Sequence, residues 1–124
     1  MTAMTNYLEN SILNLVLRNT TFPAIAAVYV QLHTADPGET GTANPLASCP
    51  RFAMTFAAAA SATAANDATG SVVTSASGTI THMSLWDASA AGNALLYGTL
   101  GTSKAVNAGD TINLASGVLK VNAS

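Results

Sequence analysis

Charged residues are what this sequence has least of. Its 124 residues include four Lys or Arg and six Asp or Glu, 8% of the chain, whereas a soluble domain typically carries about 25%. Small residues, chiefly Ala, Thr, Ser, Asn and Gly, take their place. Because such a surface cannot keep molecules apart by charge repulsion, the composition favours a subunit that packs against copies of itself or within a larger assembly.

Positive charge is too sparse for a polyanionic partner. The net charge at pH 7 is −2, and the four cations are scattered along the chain. Binding to nucleic acid or to an anionic membrane surface needs clustered Lys and Arg. No apolar run approaches the ~18 residues of a membrane span, and the first residues lack the basic and apolar regions of a signal peptide. We expect no nucleic-acid or membrane partner, and a protein made in the cytoplasm.

Side chains for catalysis or metal binding are also few. The single Cys49 cannot form an intrachain disulfide, and His33 and His82 lie in strand-like patterns without zinc-type spacing. The carboxylates fall mostly at a helix cap or in turns, where they are expected for local reasons, and no G-x-S-x-G motif is present. We therefore predict no enzyme activity, no metal and no cofactor.

Aromatic residues make up only 6% of the chain. Trp86, Tyr97 and Tyr29 are the candidates for an aromatic platform that would bind a glycan. Packing in the core or at an interface is the alternative role for these rings. With so few aromatic residues available, packing is favoured.

One convincing helix is predicted over residues 6–18, with Asn6 as N-cap and Glu9 completing a capping-box pair. Leu13 and Leu17 widen its apolar stripe until little of the surface is left for water. A helix that is apolar over most of its girth is covered on more than one side, here by the fold itself or by a neighbouring subunit. The stripe supplies the candidates for core or interface: Leu8, Ile12, Leu15 and Val16.

The rest of the chain has the alternation and turn signals of β-structure. Residues 28–33 alternate clearly, and in residues 51–56 Phe52, Met54 and Phe56 share one face. Residues 57–79 are predicted to be extended and partly exposed. Residues 57–65 have high helix propensity, but they lack any large apolar anchor, and Ser, Thr and Asn compete for backbone hydrogen bonds. Further strands are predicted at residues 79–86, 94–100, 110–114 and 117–121. We predict a single domain over residues 1–124: a mainly β fold, an antiparallel, jelly-roll-like β-sandwich over residues 25–124, with one N-terminal α-helix at residues 6–18.

The order of these segments resembles a family of small structural proteins of tailed-bacteriophage virions, commonly described as tail-fibre or structural proteins. The resemblance implies a β-rich virion component without enzymatic activity. It spans nearly the whole chain and is weakest over residues 57–78, which are rich in Ala, Ser and Thr. The segments that carry it are residues 6–10 (NYLEN), 16–20 (VLRNT), 28–39 (VYVQLHTADPGE), 51–56 (RFAMTF), 79–87 (TITHMSLWD), 92–98 (GNALLYG) and 106–111 (VNAGDT).

Two roles within a virion are compatible with the sequence. The favoured hypothesis is a homo-oligomeric cement or decoration subunit on the capsid surface, since the chain is short and lacks the repeats of a long fibre. Its partners would be copies of itself and the major capsid or tail proteins. The alternative is a tail or fibre accessory protein that adheres to a host glycan through residues 34–45 and 87–93.

Overall fold

The computed structural model describes residues 3–123 and shows a mainly β protein with one N-terminal helix, as predicted. The predicted helix and the strand at residues 28–33 have the bounds that the periodicity indicated. The elements are β1 Ala3–Met4, α1 Asn6–Arg18, β2 Val28–His33, β3 Phe52–Met54, β4 Thr63–Ala65, β5 Gly70–Val73, β6 Gly78–Trp86, β7 Ala94–Val106, β8 Thr111–Leu114 and β9 Lys120–Asn122.

Five of the strands form one antiparallel sheet in the order β1-β7-β6-β2-β3. The β6–β7 hairpin lies at its centre, and its register shifts between Ile80 and His82 and again between Leu85 and Trp86. Such irregularities bend a strand and change which side chains face the core. On β2, which pairs with β6 on the side away from β7, Val30 and Leu32 are buried on the core face.

A second layer closes the core. It contains the antiparallel pair β5–β8, while β4–β9 forms another short pair. The main sheet and the β5–β8 pair thus enclose one core between them. The buried apolar residues of this core are Val30, Leu32, Leu46, Phe52, Met54, Val72, Ile80, Met83, Leu85, Val106, Ile112, Leu114 and Leu119.

The structure corrects one local detail of the helix. The N-cap is Thr5, not Asn6: its backbone is extended, and its hydroxyl oxygen accepts a hydrogen bond from the Leu8 N–H at 3.3 Å. Asn6 is instead the first helical residue, so Glu9 is not in the capping-box position. Threonine and asparagine both cap helices well. The buried position of Thr5 against β7, which no local pattern reveals, decides between them.

Two other segments show where local patterns hold and where they stop. Residues 57–79 contain no helix and supply β4, β5 and the start of β6, in line with the predicted extended conformation. Strand β7 continues to Val106, beyond the predicted end at residue 100. Gly101 and Ser103 weaken the strand pattern and lie at the register shift between Ile80 and His82, but the strand resumes because residues 104–106 pair with β6.

Asn66 ties the second layer together. Its side chain is buried, and its amide nitrogen donates to the carbonyls of Ala68 and Ala115 at 3.0 and 2.9 Å. Its side-chain oxygen accepts from the Leu119 N–H at 2.9 Å. The Asn66 carbonyl accepts in turn from the Gly117 N–H at 2.7 Å. One residue therefore supplies the hydrogen bonds that the turn between β8 and β9 cannot make for itself.

A buried polar chain holds the opposite face of the sheet. The Trp86 indole N–H donates to the Ser84 hydroxyl at 2.7 Å, and Ser84 lies 2.7 Å from Nε2 of His33. Nδ1 of His33 lies 2.8 Å from the Ala43 carbonyl, which can only accept. Nδ1 of His33 therefore carries a proton and donates to that carbonyl, and this hydrogen bond fastens the loop that follows β2 to the sheet.

Replacing Asn66 tests its role in the second layer. We expect Asn66→Ala to lower the free energy of unfolding by about 3 kcal/mol, because buried carbonyls and an N–H lose their partners. Urea unfolding of the full chain measures the change. The matched control is Asn113→Ala, an exposed asparagine on β8, which should shift stability by less than about 0.5 kcal/mol. Equal effects would mean that the Asn66 network is not needed.

The stability of the protein should fall as the pH drops from about 7.5 to 5.5. Burial lowers the pKa of His33 below its ordinary value, although hydrogen bonds to the backbone oppose this. Below pH ~6.5 the unfolded chain binds a proton that the folded chain resists. The contribution of His33 is therefore present above that pH and is lost below it, by at most ~1.4 kcal/mol per pH unit.

Thermal melts across this pH range measure the effect. His33→Asn should be less stable at pH 7.5 but should show a flatter dependence on pH. The control His82→Gln, a half-buried histidine on β6, should keep the slope of the original chain. A slope that survives in His33→Asn would assign the pH dependence to another group.

Candidate functional site

The apolar stripe of α1 is not covered by the fold. The helix contains no buried residue, and Leu8 is only half-buried. Val16 and Leu17 are 72% and 74% exposed, against 55% for Leu13. The side chains that we call the helix surface are Leu8, Ile12, Leu13, Leu15, Val16 and Leu17.

Contacts at one end and along one side fix the direction of this helix. At its start the Thr5 hydroxyl donates to the Ala94 carbonyl at 2.6 Å, and the Thr5 N–H donates to the Leu95 carbonyl at 3.0 Å. At its end Asn19 adopts a left-handed conformation that turns the chain back. Phe22 then packs beside Tyr7, with ring centroids 6.4 Å apart. Leu13, Val16 and Leu17 lie away from these contacts and face solvent, whereas Leu8 and Ile12 border the body of the protein.

An apolar groove of about 200 Å³ continues the helix surface onto the body of the protein. Leu8 and Ile12 form its helical wall. The opposite wall comes from β1, β4, β7 and β9, and its members are Met4, Thr63, Ala64, Leu96 and Val121. Helix and groove together form a continuous apolar area. Such an area on a soluble subunit typically marks a contact with another protein.

The predicted aromatic residues do not form an exposed platform. Tyr29 pairs with Trp86 across the sheet, and Tyr97 pairs with Ser84, so the three rings share one face. Trp86 is 4% exposed, however, and the Arg51 guanidinium covers it at 3.6 Å from the ring centroid. Packing is therefore the role of Trp86, as the small number of aromatic residues favoured.

Residues 34–45 and 87–93, predicted as a binding tip, do meet in space. Together with the first residues of α1 they line a cleft of about 250 Å³, which we call the loop cleft. Within it, Glu39 accepts a hydrogen bond from the Tyr97 hydroxyl at 2.6 Å. This hydrogen bond, together with burial and the negative charge of Glu39, raises the pKa of Tyr97 to about 12. The lining residues are Thr5, Asn6, Tyr7, Glu39, Thr40, Thr42, Trp86, Gly92, Asn93 and Ala94.

The potential metal-ligating side chains of residues 3–123 are dispersed. No group of three or more His, Cys, Asp or Glu side chains in that range is placed to hold a metal ion. His33 is committed to the hydrogen bonds described above, and burial raises the pKa of the Cys49 thiol. Over the same residues, no helix has the length and apolar character needed to cross a membrane.

Comparison with known proteins points to one family. The family model described as "Podophage GP4 fiber I protein gp80" matches residues 3–122, which is nearly the whole chain. None of the curated proteins matches. The match covers the helix, the main sheet and the second layer together, and it includes both the helix surface and the loop cleft.

Proposed function

Because the chain belongs to the family of podophage fibre I proteins called gp80, we propose that it is a structural subunit of the tail fibre apparatus that assembles through its helix surface. The family supports a virion structural protein of the fibre type, in line with the resemblance seen in the sequence. It favours the tail or fibre alternative over the capsid cement role that the sequence favoured.

The exposure of the helix surface is the observation that carries the proposal. Fully burying one Leu, Ile or Val side chain contributes roughly 1.5–3 kcal/mol, and the fold leaves most of this unused on α1. A helix of 13 residues is also marginal by itself in water. Contact with a partner would stabilise the helix and remove the apolar area from solvent.

The pattern on the helix favours another copy of this chain as that partner. Leu8, Ile12 and Leu15 follow the alternating four- and three-residue spacing of helices that pack side by side. In a heptad repeat with core positions a and d, Ile12 occupies position a, and Leu8 and Leu15 occupy position d. The near absence of charge on the subunit adds little repulsion between copies. Symmetric self-association through one such surface is the commonest form of assembly among soluble oligomers.

Charged residues on the helix surface should break the assembly without unfolding the subunit. We expect the full chain to be an oligomer and the double variant Ile12→Asp with Val16→Asp to be a monomer of about 12.5 kDa. Loss of two apolar contacts should weaken association at least ~100-fold. Size-exclusion chromatography with light scattering measures the mass, and the melting temperature of the variant at low concentration checks the fold.

A matched control uses apolar side chains that are equally exposed elsewhere. Val73 and Val118 are 55% and 61% exposed and lie outside the helix. The double variant Val73→Asp with Val118→Asp should keep the oligomeric mass. A monomeric original chain at high concentration, or an Ile12/Val16 variant of unchanged mass, would contradict assembly through the helix.

The number of copies per virion tests the placement on the particle. We expect a small multiple of the tail symmetry, because a fibre subunit is attached to the tail. Quantitative mass spectrometry of purified virions against the major capsid protein gives this number. A ratio near one, or a simple fraction of it, would instead place the chain on the capsid lattice as cement.

A further inference from the structure

The loop cleft is a second surface, separate from the helix surface. It takes Thr5, Asn6 and Tyr7 from the start of α1, whereas the helix surface begins at Leu8. Its other walls come from residues 34–45 and 87–93. With a volume of about 250 Å³, the cleft is smaller than the usual range of ~300–1,000 Å³ for drug-sized ligands. It therefore suits a ligand of about one ring.

The lining of the cleft is polar and almost uncharged. Among its lining residues Glu39 is the one ionisable acid, and Lys and Arg are absent. Hydroxyl groups come from Thr40 and Thr42, whose side-chain oxygens lie 2.8 Å apart, and Asn93 adds an amide. These groups both donate and accept hydrogen bonds. Glu39 would repel an anionic ligand, and no Lys or Arg among the lining residues offsets this repulsion.

Aromatic rings provide the apolar part of the lining. Tyr7 is half-buried and supplies the accessible ring, whereas Trp86 is buried and lies at the base of the lining. Tyrosine and tryptophan combine an apolar ring with a polar group. A ligand that fits this lining has hydroxyl groups around its edge and C–H groups on its faces.

The walls of the cleft are held in place before any ligand arrives. The Asp87 carboxylate accepts from the backbone and the side chain of Asn93 at 2.7 and 3.0 Å. The Arg51 guanidinium donates to the Ala88 and Ala91 carbonyls at 2.9 and 2.7 Å. Tyr97 fixes Glu39, as described above. A preorganised site avoids the entropic cost of ordering loops on binding.

We infer that the loop cleft binds a single neutral sugar ring, as part of a surface glycan. The ring hydroxyls would exchange hydrogen bonds with Glu39, Thr42 and Asn93, and a C–H face would lie against Tyr7. The Glu39 carboxylate, which lines the cleft directly, selects against sugars that carry a carboxylate. This inference concerns residues outside the helix surface and does not rest on the mode of assembly.

Titration of the ¹⁵N-labelled full chain with sugars tests the inference by NMR. The probes are methyl α-glucoside, methyl β-galactoside, N-acetylglucosamine and, as the charged comparison, glucuronate. We expect at least one neutral sugar to shift the amide signals of Glu39, Thr42 and Asn93, with a Kd on the order of 1 mM. Glucuronate should bind at least about tenfold more weakly.

Two variants separate the cleft from the rest of the surface. Thr42→Arg should fill the cleft and abolish the shifts, whereas Thr102→Arg, at an exposed threonine on β7, should leave them unchanged. The Ile12/Val16 double variant should still bind, so a failure of assembly and a failure of sugar binding are distinguishable. No shift with any neutral sugar at about 50 mM, well above the expected Kd, would overturn the inference. Shifts that persist in Thr42→Arg, or tighter binding of glucuronate, would also overturn it.

Discussion

Buried polar side chains join the irregular parts of this protein to its sheets. Much of the chain lies in connections, whose backbone N–H and C=O groups need partners once they are covered. Most of the buried polar residues supply such partners near the ends of strands, where a helix, a loop or a turn begins. Within the described residues, every buried side-chain nitrogen or oxygen has a hydrogen-bond partner. Thr5, His33, Asn66 and Thr74 act in this way, and Ser84 acts through His33, whose ring it contacts.

These buried hydrogen bonds explain why the loop cleft has fixed walls, whereas the helix surface is open. His33 fastens residues 34–45 to the sheet at Ala43, so that loop keeps its shape and one wall of the loop cleft is fixed. Thr5 fastens α1 only at its first turn. In the same turn Tyr7 packs beside Phe22, while the later apolar side chains of the helix, Leu13, Val16 and Leu17, are exposed to solvent.

Local sequence patterns were sufficient where one segment determines its own conformation. The spacing of Leu8, Ile12 and Leu15 predicted a helix with the observed bounds, and alternation predicted β2 from residue 28 to residue 33. Patterns failed where a distant segment decides. Asn66 looks like any loop asparagine, yet its partners lie 49 and 53 residues away. The extension of β7 depends in the same way on pairing with β6.

The two candidate surfaces differ in the same way: local sequence predicted the helix surface, but it could not predict the loop cleft. The excess of apolar residues on α1 was visible in the sequence, because a helix on the surface of a protein ordinarily has one apolar face and one polar face. Residues 34–45 and 87–93 could be named as loops, but their meeting around Glu39 and Asn93 depends on the register of the sheet between them. The cleft is lined by Thr5, Asn6 and Tyr7, and the helix surface begins at Leu8. The two surfaces share no residue, so a partner bound to the helix surface does not use the lining of the cleft. A subunit that packs through the helix surface can therefore keep the loop cleft open. A fibre subunit that both assembles and binds a ligand would require this arrangement.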